Sequence, residues 1–430
     1  MVNSDLSENG GNEESACPAM GGVYLTHAYL SSDSQSKEQN NSQAFGPLRP
    51  PAIRQGEFII NTPLQPSPRV QELLDGINEP TDAGNPTSPP PWLDKELFNR
   101  GREFYRRYLF CLSFSDLLSL LLMLSSPRAL KPLIFTGRSD TNEKAMRRYF
   151  STLLHVMTWY EGDVWDPNDP AHKDVLSIRS IHNKVAQLVN SSRNQEKVNN
   201  IKATDKGHVE PKCPYYPSIR EDIRRVAENT LGHQESSQPL TYLNQLDMSL
   251  TQYSFFGLLV AHPKKLGAGA ATEEEFEGLI HFWRGIGWLL GIDDKYNFCS
   301  GNLAETRALC LEVEKFFAIP WLASVDWDHE HMTTCLISGM NNLIPGLSFP
   351  AMFRYLTHVL AVPAPEFESR LSFVHNVQYW LLRLGFALIL VIPSLAIILN
   401  RLFENLIETV QNEPNKPKNT DSRVVKNLYT

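Results

Sequence analysis

The sequence lacks most of the signals that mark common enzyme and nucleic-acid-binding classes. Its six cysteines (Cys17, Cys111, Cys213, Cys299, Cys310 and Cys335) are scattered, with no C-x-x-C pair. That spacing excludes zinc-ligand motifs and suits reduced thiols better than a disulfide framework. There is no long basic run and no RNP-like aromatic motif, and the net charge is −8. No nucleic-acid partner is therefore expected. The first 40 residues contain no apolar core of the kind a signal peptide needs, so none is expected there. No G-x-S-x-G, H-E-x-x-H or Walker sequence occurs, and alternation of β type never lasts beyond a few residues. Internal repeats and heptads are also absent.

What is present is a long helical pattern behind a polar leader. The chain has 430 residues, 42% of them hydrophobic, enough for one large domain or two ordinary ones. Twelve of its 29 prolines precede Trp92, and the residues before it are rich in Ser, Asn, Gln and Gly. Residues 1–90 are expected to be largely disordered, because they offer too little apolar surface to offset ordering entropy. From Trp92 onward the spacing predicts helices over WLDKELFNRGREFYRRYLF and CLSFSDLLSLLLMLSS, then at 143–160, 172–190, 218–231, 241–262, 272–290, 303–317 and 348–359. The second of these is apolar almost all round, but Asp116 and five serines interrupt it, which favours a buried core helix over a membrane span. The polar stretch 191–217 reads as an exposed insertion. The fold class is all-α.

Near the C-terminus, seventeen residues without a charge, LGFALILVIPSLAIILN, lie between Arg383 and Arg401. That is the short end of what spans a bilayer. Tyr379, Trp380, Arg383 and Arg401 suit an interfacial belt, and Pro393 is tolerated in membrane helices. A single-pass membrane anchor is expected over 379–402, followed by a polar tail at 403–430. A hydrophobic helix docked on the domain is the alternative.

The most informative stretch runs from Arg147 to Val185. Its first half is helical, so Arg148, Thr152 and His155, at i, i+4 and i+7, share one face. Its second half places Arg179 and His182 one turn apart. Polar groups on apolar helices need partners, because unsatisfied burial costs several kcal/mol. A buried anionic cofactor with a metal centre satisfies all of them together, and haem is such a cofactor.

The runs PPWLDKELFNRGREFY, RRYFSTLLHV, RSIHNKV, TQYSFFGLLVAHPKKLG and FWRGIGWLLGIDDKYN occur in order over about 90–360. Together they resemble the rubber oxygenase (latex-clearing protein) and ER-bound oxygenase mpaB catalytic domain family. The resemblance implies an all-helical, globin-like core over 91–375 that binds haem b. It also implies use of dioxygen to cleave a C=C bond of a hydrophobic, isoprenoid-like substrate, at a membrane such as the endoplasmic reticulum. The family's R-x-x-x-T pair matches Arg148 and Thr152, the implied catalytic residues. Its R-x-x-H-x-x-V motif matches Arg179, His182 and Val185, making His182 the implied iron ligand.

Three positions depart from the pattern. Ser151 stands where some members have a Lys, Ala186 where a second Arg is expected, and PRALKPLIFTGR offers no counterpart to the acidic residue proposed there as a base. Haem binding is therefore better supported than the rubber-type reaction, and a non-catalytic haem binder or membrane scaffold remains the competing reading. His155 is a candidate distal ligand, Gln252 a candidate haem-edge donor, and Arg284 or His281 a candidate partner for a propionate. Each has core packing as its alternative. DWDHEHMTTC has metal-ligand composition but lacks two His at i, i+4, and reads as a solvated loop or helix start.

Overall fold

Helix starts follow the capping chemistry. Asn244, Thr272 and Asn302 each accept a backbone N–H three residues on, while Asp247, Glu275 and Glu305 reach back to the cap's own N–H. Asp94, Thr141 and Asp169 cap three more helices. The computed structural model describes residues 65–83, 88–207, 215–227, 241–341 and 343–412, all within the unit Asn61–Thr430. Among them sixteen α-helices occur and no strand, in agreement with the all-α reading. In order, the first six are α1 Pro68–Asp75, α2 Lys95–Met123, α3 Pro127–Thr136, α4 Asn142–Glu161, α5 Pro170–Val189 and α6 Gln195–Asn200. Next come α7 Tyr216–Ala227, α8 Gln245–Ala261, α9 Glu273–Leu290, α10 Leu303–Val313 and α11 Ile319–Leu322. The last five are α12 Trp327–Met340, α13 Phe349–Leu360, α14 Pro365–Ser369, α15 Phe373–Val391 and α16 Ser394–Asn412.

Helix α2 is the spine. It packs most extensively on α9 and α8, and α16 lies along it. Gly101 and Gly278 let α2 and α9 touch backbone to backbone; a methyl on Gly101 would sit 2.3 Å from the Gly278 carbonyl oxygen. Tyr105 of α2, Tyr160 of α4 and Phe282 of α9 form one stack, with centroids 4.0 and 3.9 Å apart. Each such pair adds about 0.5–1.5 kcal/mol beyond its buried area. The run Cys111–Met123 is core helix, and α3 departs from it at 94°.

The backbone of α2 is non-helical at Tyr108 (φ −122°, ψ 25°). Asn400 of α16 bonds to the backbone on both sides of it. Its side chain accepts from the Phe110 N–H (3.0 Å) and donates to the carbonyls of Arg106 and Arg107 (3.0 and 2.8 Å). The backbone around the break thus draws polar partners from outside the helix.

Three expectations are corrected. The ordered region begins before Trp92: α1 buries Val70 and Leu73 completely, because its apolar residues return to one face despite the polar composition around them. Residues 1–64 lie outside the described residues, as do 84–87. The 191–217 insertion is not wholly exposed: Val198 and Ile201 are buried, and Lys131 donates to the Ile201 carbonyl. The 379–402 stretch is not one helix. Ile392 takes extended backbone before Pro393 (φ −125°, ψ 81°), as a residue preceding proline tends to, and the chain is divided between α15 and α16. The helix continues to Asn412, so the polar tail begins later than expected; 413–430 lie outside the described residues.

Candidate functional site

Helix α4 starts at the Thr141 cap and α5 at Asp169, with Pro170 in its first turn, and the two pack together. The tie between them is His155. Its Nδ1 lies 2.8 and 3.0 Å from the two Asp174 carboxylate oxygens, and its Nε2 lies 3.3 Å from Ser151 Oγ. Trp159 Nε1 donates to the same carboxylate at 2.7 Å. Both ring nitrogens are engaged, so the expectation of His155 as a distal ligand is replaced by a structural role.

His182 behaves differently. Its Nδ1 is closed off from solvent with no hydrogen-bond partner among the described residues. Burial, and secondly the Arg148 cation, push the imidazole down to about 4 from its ordinary 6.5. It is neutral at pH 7, the form a metal requires. Arg148, from the facing helix, is half-buried, and its guanidinium makes no hydrogen bond or ion pair among the described residues and lies against the Tyr149 ring. An unpaired cation and an unpartnered neutral imidazole, within electrostatic reach of each other, fit a cofactor that carries both metal and negative charge. Thr152 spends its proton on the Arg148 carbonyl at 3.1 Å, which leaves its hydroxyl as an acceptor only.

The other candidates are committed elsewhere. Buried Arg179 pairs with Asp82 and donates to the carbonyls of Ala83 (3.0 Å) and Leu289 (3.4 Å), so it fastens the chain before Trp92 to α5 and α9. Its expected role toward a cofactor is corrected to that anchor. Gln252 donates to the Trp283 carbonyl (2.7 Å) and Asn297 Oδ1 (3.0 Å) and accepts from the Phe298 N–H (2.9 Å). It is a saturated core amide rather than a haem-edge donor. Arg284 forms a two-point pair with Asp294 (2.9 and 2.6 Å) under the Trp92 ring, and is likewise withdrawn as a propionate partner. His281 Nε2 accepts the Asp94 N–H at the start of α2.

DWDHEHMTTC is a helix start. Asp326 caps α12, buried His329 meets the Leu121 carbonyl, and His331 meets the Asp140 carbonyl. Among the described residues no three His, Cys, Asp or Glu side chains gather to hold a metal ion by themselves. A haem iron asks less, one or two protein ligands.

Sequence reasoning treated Asp116 only as an interruption. Asp116 is half-buried, its Oδ1 closed off from solvent and unpartnered among the described residues, and desolvation pushes the carboxyl up to about 8, so it is protonated at pH 7. It lies within electrostatic reach of the buried hydroxyls of Tyr149 and Tyr160, on the helix that carries Arg148. Its signal was in the sequence, as an acid at the centre of an otherwise apolar helix.

No family model matches the chain, and no curated protein matches it. The solved structure of latex clearing protein LCP in its closed state is similar to it, with TM-score 0.50 and 15% sequence identity, over 75% of this chain and 76% of that one. The chain thus has a distant LCP-like, all-helical fold.

Proposed function

We propose that the chain is a membrane-associated, haem-dependent oxygenase-like protein that oxidises or cleaves a C=C bond of a hydrophobic, isoprenoid-like substrate with dioxygen. The observation that carries the reading is His182, neutral and unpartnered, beside the unpaired cation of Arg148. The distant fold likeness to latex clearing protein supports it. Haem b, when bound, supplies dioxygen activation. The chain's residues supply the rest. His182 would hold the iron, and Arg148 would offer fixed donors to an anionic group of the cofactor or substrate in a partly desolvated setting, where charge-assisted hydrogen bonds are strong. Asp116, protonated at pH 7, holds an exchangeable proton inside the core. The exposed apolar helices α15 and α16 supply contact with a membrane that contains the substrate.

The test is a visible spectrum of the full chain expressed with haem available. One haem per chain with a Soret band is expected, and His182→Ala should remove it. A ratio unchanged in that variant sinks the assignment. A second reading, a haem binder without turnover, is favoured by Thr152, whose proton is spent on its own backbone. Dioxygen uptake in the presence of a polyprenyl substrate separates the two.

A further inference from the structure

Of the sixteen large hydrophobic side chains that stand exposed among the described residues, thirteen lie between Phe373 and Leu402. They are concentrated on the outward faces of α15 and α16, from Phe373 (83% exposed) to Val391 (78%) and on to Ile398 and Leu402. A patch on this scale is rare on a protein surface that faces only water. The opposite faces are fastened to the domain. Phe386 packs on Phe110, Phe114 and Tyr355, and Tyr379 meets Tyr355. Along α16, Ala396, Asn400, Phe403, Ile407 and Val410 repeat at helical spacing and are buried, and Asn400 carries the three bonds to the α2 backbone around its break.

A helix surrounded by lipid would have to give up all of these contacts. The break at Ile392–Pro393 also divides the stretch into two helices, of which α15 alone is long and apolar enough to cross a membrane. Between Phe373 and Phe403 the only Lys, Arg, Asp or Glu residues are Arg383 and Arg401. Arg383 stacks against the exposed ring of Trp380 and lies near Lys265. An aliphatic face with an aromatic and arginines at its margin has the composition of a helix that lies in the headgroup region of an anionic membrane.

We infer that α15 and α16 together form an in-plane membrane-binding face, which enters one leaflet of an anionic bilayer while both its ends stay on the same side. This rests on the membrane-associated part of the reading above and differs from the single-pass anchor expected from the sequence. Haem binding is independent of it.

The experiment uses the full chain. It should float with vesicles of phosphatidylcholine and phosphatidylserine, and bind vesicles of phosphatidylcholine alone more weakly. Leu381→Glu with Leu388→Glu should lower the bound fraction by about tenfold or more, whereas Leu188→Glu, on exposed surface of α5, should not. The haem spectrum should be the same in all three chains, and His182→Ala should still float. For topology, Ser372→Cys and Asn412→Cys, in a chain carrying Cys17→Ser and Cys213→Ser, are treated on sealed microsomes with a membrane-impermeant maleimide. Both positions should react at similar rates without detergent. Protection of either one until detergent is added overturns the in-plane arrangement in favour of a span. Failure to float, flotation indifferent to the two glutamates, or a stable dimer that the glutamates dissolve without any vesicle binding overturns the membrane as occupant.

Discussion

A ligand residue should be a burden to the chain that lacks its ligand. His182 meets that description: Nδ1 is buried without a partner, and burial holds the ring neutral. A buried polar atom left unsatisfied costs about 1–3 kcal/mol. Leucine has similar bulk and no such atom, so His182→Leu should stabilise the haem-free chain by about that amount at pH 7.5. The pH dependence adds a second signature. The folded-state value is depressed to about 4 from 6.5. The unfolded chain therefore takes up a proton that the folded chain refuses as pH falls below 6.5, and wild-type stability declines until about pH 4. At about 1.36 kcal/mol per pKa unit, the wild type loses about 2 kcal/mol between pH 7.5 and 5 that the leucine variant keeps. Urea unfolding of both haem-free proteins at the two pH values measures this. The same substitution should abolish haem uptake. A leucine variant less stable than wild type by more than about 1 kcal/mol at both pH values would show that the imidazole is already satisfied by the fold, and the reasoning would fail.

Arg148→Met should move the His182 imidazole upward, because one cation opposing its protonation is gone. It should stay below 6.5, since burial is the larger cause; an NMR titration that finds no movement places Arg148 outside the site. Asp116→Asn removes an acid whose folded value is raised to about 8. The wild type alone is penalised as pH rises from about 4, where the unfolded carboxyl ionises, to about 8. The variant's advantage should be absent at pH 4 and reach about 4 kcal/mol at pH 7, and a flat difference across that range refutes the burial argument. Arg179→Ala should cost about 2–4 kcal/mol, less than a fully buried pair because Asp82 is partly in water, with haem stoichiometry of the folded protein unchanged. Loss of haem from a fully folded Arg179→Ala chain would return that residue to the cofactor site.

The helical segments were legible where periodicity and capping agreed. Residues 272–290, for example, carry Thr272 and Glu275 ahead of an apolar run, and α9 follows. That Arg148 and Thr152 of α4 stand toward His182 of α5 was implied only by the family resemblance, not by periodicity. What could not be read was which polar residue had an internal partner. Arg179 and His182 have the same local signature, one turn apart on one helix, yet Arg179 is satisfied by Asp82, 97 residues upstream, and His182 Nδ1 by nothing among the described residues. A polar residue in an apolar context announces that a partner exists without saying whether protein or cofactor provides it. Composition leaves a related ambiguity at the C-terminus. A charge-free run looks alike whether lipid surrounds it or meets only one face, and Asn400, which ties α16 to α2, is an uncharged residue within that run.

The two halves of the proposed chemistry meet in α2. Moving an apolar chain from a bilayer into water costs about 0.8 kcal/mol per CH₂, so a single five-carbon isoprene unit already carries a barrier of about 4 kcal/mol. A site that takes such a substrate through bulk water would meet almost none of it; a site fixed to a lipid-facing surface avoids the step. Here the exposed apolar helices are fastened by Asn400 at the break in α2 at Tyr108, and Asp116 lies two turns further along the same helix, about 12 Å away at 1.5 Å per residue. Around the break, one side chain of α16 hydrogen-bonds three backbone groups of α2. Detaching α16 would remove those three bonds, so the orientation of the apolar face is set by the same helix that carries Asp116 and packs against α4, the helix of Arg148.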